Sequence, residues 1–212
     1  MKKQLKVQLS SLAVSAIAVM ALAVPFAYAQ TTANSELTQQ INNGVLSTSI
    51  RNGSGAVVAS PTFAMSAVAA STSQQTSTGT FGSSTQRITV DNPGGANNGW
   101  TLALNATVPG TATWTSGGNS YAYNGATAAA GQLTVNPAVG TLTPTVGGAT
   151  GVSLGTSSTF TGTTPISIIT AAASSADIWN GYATGIGLSQ TIPPAQPVGN
   201  YTINMTQTVT AN

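Results

Sequence analysis

From residue 44 onward the sequence is a succession of short runs rich in β-branched and aromatic residues, each cut off by a Gly, Pro or Asn turn. No stretch there sustains a helical period, so helices cannot form the body of the fold. The runs are 45–51, 55–59, 62–69, 85–90, 100–108, 111–115, 132–135, 165–170, 183–190 and 201–210. Between them stand Asn52-Gly53, Asn92-Pro93-Gly94-Gly95, Asn98-Gly99, Val108-Pro109-Gly110, Ser116-Gly117-Gly118-Asn119, Asn124-Gly125 and Asn180-Gly181, whose residues supply turn geometry. Many short strands at this spacing predict an all-β chain, an antiparallel β-sandwich of immunoglobulin-like or Greek-key type.

Two runs alternate most cleanly. In the first, Trp100, Leu102, Leu104, Ala106 and Val108 share one face, which predicts Trp100 as a core residue. In the second, Tyr201, Ile203, Met205 and Val209 share a face with Gln207, an amide that then needs a hydrogen-bond partner or a place near the sheet's end. Residues 126–164 are rich in Gly, Thr and Ala and give weaker strand signals, and residues 171–175 read as a short helix or a loop.

The N-terminal residues 1–29 have the plan of a signal peptide. Lys2, Lys3 and Lys6 precede an apolar stretch, and Ala27-Tyr28-Ala29 suits cleavage before Gln30. The apolar stretch is short for a membrane span and carries Pro25, so no span is expected in the mature form. Residues 30–43 form a polar N-terminal arm and 44–212 the sandwich domain. Removing the signal removes every lysine. Arg51 and Arg87 then face Glu36, Asp91 and Asp177, a net charge of −1, and no basic cluster is left to bind nucleic acid.

That scarcity of charge also narrows the chemistry. There is no His or Cys, so Ser and Thr hydroxyls have no ordinary base to activate them, and no disulfide is available. Three carboxylates, one in the arm and one heading a turn, make a poor acid–base pair. Zinc lacks its usual donors, and Asp91 with Asn92 falls short of a calcium loop. No enzyme activity, metal or cofactor is therefore expected.

Aromatic residues offer another chemistry. Trp114, Tyr121, Tyr123, Trp179 and Tyr182 stand beside Gly, Asn and Ser turns, where they would either cap the ends of the sandwich core or present flat faces to a carbohydrate.

The segment Asp91 to Gly99, followed by Trp100-Thr101-Leu102, resembles the first Trp-x-Leu motif of WxL-domain surface proteins. "GVLSTSI" at 44–50, "STQRITVDN" at 84–92 and "TIPPAQPVGNYTINMTQTVT" at 191–210 are similar to the opening strand, the strand before the motif and the closing pattern of that family. Where many members carry a second Trp-x-Leu, this chain has Gln207-Thr208-Val209. The resemblance implies a β-sandwich attached noncovalently to a bacterial cell wall, with peptidoglycan, wall polysaccharide or other surface proteins as partners. The absence of an LPxTG-like sorting sequence, a terminal apolar tail and a lipobox cysteine leads to the same expectation. The chain is thus expected to be secreted, extracellular and cell-surface or cell-wall associated, with a structural or adhesive role. The alternative is a self-assembling fibre or surface-layer subunit, in which the arm at 30–43 adds a strand to a neighbour's open sheet edge.

Overall fold

The computed structural model describes residues 35–212. The expected signal peptide and the first residues of the arm lie outside them. Residues 35–41 have no regular structure and are exposed; residues Asn42–Asn212 form a separate compact unit.

That unit is antiparallel throughout. The first sheet has the order β1 (Ser47–Arg51), β3 (Arg87–Pro93), β12 (Ile178–Thr184), β8 (Thr141–Val146). The second is β10 (Ser158–Thr159), β7 (Leu133–Asn136), β13 (Ile186–Ile192), β2 (Gln75–Phe81). The third is β14 (Met205–Ala211), β4 (Trp100–Ala106), β11 (Ile166–Ala171), β9 (Val152–Leu154), and a hairpin joins β5 (Trp114–Ser116) to β6 (Asn119–Tyr121). One hydrophobic core draws on all three large sheets, as an all-β sandwich requires.

The first two sheets are continuous through a corner. The β12–β3 ladder runs on into the β13–β2 ladder, with residues 82–86 looped out on one side and Gly185 alone turning the other. Gly185 has φ of +74°, a left-handed conformation that a side chain would strain, and its N–H donates to Gly82 O at 3.0 Å. The run at 183–190, read from sequence as one strand, is therefore the end of β12 and most of β13, divided at the corner.

The third sheet closes the core against the first. Trp100 on β4 and Trp179 on β12 meet with ring centroids 5.3 Å apart and planes tilted by 48°. On β4, Trp100, Leu102, Leu104 and Ala106 are all buried, as the alternation predicted, while Val108 lies past the strand's end and is exposed.

Other expectations are corrected. Residues 55–59 and 62–69 form no strands and make only isolated bridges, Val57 to Arg51 and Met65 to Gly79. They run alongside β1 and β2 and cover those edges. The strand β2, with sequence QTSTGTF, was missed because Ser, Gly and Gln dilute its β signal. In the Gly/Thr/Ala-rich middle, β8 went unread because Pro144 interrupts it, and β9 and β10 because they are only three and two residues long. Asn180-Gly181, read as a turn, lies inside β12. Gly181 is there because the Trp179 indole lies over it: a Cβ at that position would stand 2.6 Å from Cζ2 of the ring. The last run begins its ladder only at Met205. Residues 172–176 form a loop, one of the two readings of that stretch. The Gln207 amide finds its partner in Thr48 Oγ1 on β1, at 2.7 Å, and the Thr48 hydroxyl in turn donates to Thr89 O at 2.8 Å.

Candidate functional site

The segment around Trp100 is built as a core device. Asn92, fully buried, accepts from Gly95 N at 2.9 Å and donates to Ala176 O at 2.7 Å and Ala96 O at 3.3 Å. The turn is thereby held to the loop 172–176, and Ser174 N adds a bond to Asn97 O at 3.0 Å. The Asn92 amide is spent on backbone partners, so it is not free to join Asp91 at a cation. Among the described residues, no three of His, Cys, Asp and Glu come together. Thr101, between the two buried residues of the Trp-x-Leu motif, is half-buried and turned to the other face of β4.

The five candidate carbohydrate contacts separate into two groups. Trp179 and Tyr123 are 1% and 0% exposed, so neither ring can stack on a ligand. Trp179 donates from Nε1 to Gly148 O at 3.0 Å, and Tyr123 donates to Pro109 O at 3.1 Å while its ring packs edge-on against Phe160. Tyr182 is half-buried, but the Arg87 guanidinium lies over its ring, 4.4 Å from the centroid. Trp179 and Tyr123 are corrected to structural residues, and Arg87 occupies one face of Tyr182. Trp114 and Tyr121 are half-buried and remain accessible in part.

Trp114 and Tyr121 face each other across the β5–β6 hairpin, the pair that antiparallel register places opposite, with near-parallel rings 6.1 Å apart. Trp114 is anchored from below, its Nε1 donating to the Oε1 of buried Gln190 at 2.8 Å. A third ring, unread from sequence as a site residue, completes the cluster. Thr115 and Thr202 exchange two backbone hydrogen bonds of 2.9 Å, which brings Tyr201 to 5.1 Å from Tyr121. The Tyr201 hydroxyl donates to Pro197 O at 3.0 Å, and Ala195 N donates to Ser71 O at 2.7 Å. The Pro-rich loop after β13 is thus tied to the segment 68–71.

Between that loop and that segment lies a groove of about 340 Å³, with Tyr121 and Tyr201 in its wall. Gln75, Gln196 and Ser71 contribute amides and a hydroxyl, Pro193, Pro197 and Val198 contribute apolar surface, and no charged side chain lines it. A second depression of similar size, between residues 107–115 and 202–204, has no aromatic lining. The signal for Tyr201 was present in "PPAQPVGNY", a Pro-rich turn ending on an aromatic; nothing in the sequence marked Gln75.

Burial raises the Tyr121 hydroxyl to about 12, and the neighbouring Tyr201 adds to the shift because a second phenolate there would repel the first. Burial also raises Tyr123. Both groups ionise earlier in the unfolded chain than in the folded one. Their contribution to stability is therefore complete below pH ~10 and is lost as the pH climbs towards the folded values. Alkaline titration followed by tyrosinate absorbance should show these tyrosines ionising late and together with unfolding; ordinary ionisation of every tyrosine in the intact fold would contradict the arrangement.

Comparison with family models, with curated proteins and with solved structures finds no match to this chain.

Proposed function

We propose that this is a secreted, noncatalytic surface protein held noncovalently on a bacterial cell envelope, where it has a structural or adhesive role and takes a neutral saccharide in the groove beside Tyr121 and Tyr201. The observation that carries the reading is the groove itself. Two half-buried phenol rings in its wall stand next to amides and a hydroxyl in a lining without charge. A sugar ring offers the complement, an apolar C–H face for the rings and hydroxyls for the amides. The resemblance to WxL-domain proteins supports the envelope location, and the buried Trp100 and Leu102 make that motif a structural element rather than the contact surface.

Binding to purified wall polysaccharide tests the reading, with Tyr121→Ala and Tyr201→Ala as variants. Each should weaken binding about tenfold, equivalent to ~1.4 kcal/mol, while the thermal midpoint shows that the domain is folded. Equal binding by wild type and both variants would remove the groove from the function. Boiling envelopes in detergent should release the protein at monomer mass; release only by a wall hydrolase would mean covalent attachment.

A further inference from the structure

Unpaired sheet edges invite strand addition, and folded proteins usually blunt them. Among the described residues each large sheet has two. In the first sheet, β8 contains Pro144, and β1 is covered at its end by Val58 N donating to Ile50 O at 2.9 Å. In the second, β10 is two residues long, and β2 is covered by Ser66 N, which donates to Thr78 O at 2.6 Å. In the third, β9 is three residues long. The remaining edge, β14, is seven residues, TQT VTA after Met205, with no charge, no proline and an unbroken register on β4.

The direction of its free groups follows from the ladder. Asn212 N donates to Gly99 O and Thr107 N to Asn204 O, which places the even-numbered residues in the hydrogen-bonded pairs with β4. Met205, Gln207, Val209 and Ala211 therefore turn their backbone N–H and C=O to the open side. Thr206, Thr208 and Thr210 present exposed side chains on the outer face.

We propose that β14 is a self-association edge, pairing antiparallel with β14 of a second copy about a two-fold axis at Thr208. The occupant follows from self-complementarity. In this register Gln207 of one copy meets Val209 of the other, Met205 meets Ala211, and each pair exchanges two backbone hydrogen bonds. On the outer face Thr208 meets Thr208 and Thr206 meets Thr210, a ladder of neutral hydroxyls with no like charges to separate. The half-buried Met205 and Val209 gain cover, and the two third sheets become one. This edge is distinct from the aromatic groove, so association and saccharide binding can fail independently.

The test is charge at the axis. Thr208 is exposed and contributes nothing to the core, so Thr208→Lys and Thr208→Glu should keep the wild-type thermal midpoint. In sedimentation equilibrium the wild type should show a reversible monomer–dimer mass. Each variant alone should dimerise about a hundredfold more weakly, because like charges meet at the closest pair of the new ladder. An equimolar mixture of the two should dimerise again. A wild type monomeric up to its solubility limit would overturn the proposal. So would variants that dimerise unchanged, or a mixture that stays monomeric.

Discussion

Trp100→Ala is expected to lower unfolding stability by about 3 to 5 kcal/mol, the range for truncating a buried aromatic. Its ring is fully enclosed, its strand carries three further core residues, and its contact with Trp179 joins the first and third sheets. Trp179→Ala should cost a similar amount, since that ring is equally enclosed and also loses the bond from Nε1 to Gly148 O. Because the two rings touch, the double variant should lose less than the two single losses together. Phenylalanine separates packing from hydrogen bonding. Trp100 Nε1 is buried with no hydrogen-bond partner among the described residues, so Trp100→Phe sacrifices ring volume alone, whereas Trp179→Phe gives up a bond of ~1 kcal/mol as well. Denaturant unfolding of the five variants measures these differences. A Trp100→Ala protein of wild-type stability that had lost envelope binding would make Trp100 a recognition residue and remove the structural assignment.

Gly99→Ala should cost about 3 kcal/mol, combining ~1 to 3 kcal/mol of backbone strain with a similar term for overpacking. Gly99 has φ of +94°, and a Cβ there would press on the Ala171 carbonyl oxygen and stand 3.0 Å from the Ala172 carbonyl carbon. Those atoms are backbone and cannot swing aside. Gly117→Ala is the control. Gly117 also has positive φ, +58°, yet nothing lies within 4 Å of its added Cβ, so only the conformational cost of about 1 to 2 kcal/mol should be seen. Equal losses in the two variants would show that the turn before Trp100 is not tightly seated on the loop 172–176.

Much of the architecture was legible locally. Strands β1, β3, β4, β7 and β11 fall within or close to the runs read from sequence, because each is rich in β-branched or apolar residues, and β4 also shows a clean period of two. The strands that went unread, β2, β6, β8, β9 and β10, owe their pairing to neighbours rather than to their own composition. Asn180-Gly181 misled for a similar reason. As a dipeptide it is a turn signal, but its glycine accommodates the indole of Trp179 from two residues away. The candidate site was half legible: the aromatics were visible, but burial decided among them. Tyr123 and Trp179 went inward, Tyr182 went under Arg87, and Trp114 and Tyr121 stayed at the surface with Tyr201.

By itself the sequence determined the all-β class, the inward face of β4 and the narrow range of chemistry left to a chain without His, Cys or, beyond residue 6, Lys. Those properties depend on residue type and on a period of two, which are local. Tertiary structure alone decided that two sheets are one sheet bent at Gly185, that the Thr48 hydroxyl accepts from the Gln207 amide nitrogen, that Tyr121 and Tyr201, distant in sequence, share a groove, and that among the described residues β14 is an edge. Each of these depends on which segments lie side by side. That choice comes from burying apolar surface while pairing the backbone groups of the strands, a property of the whole chain that no short window of it contains.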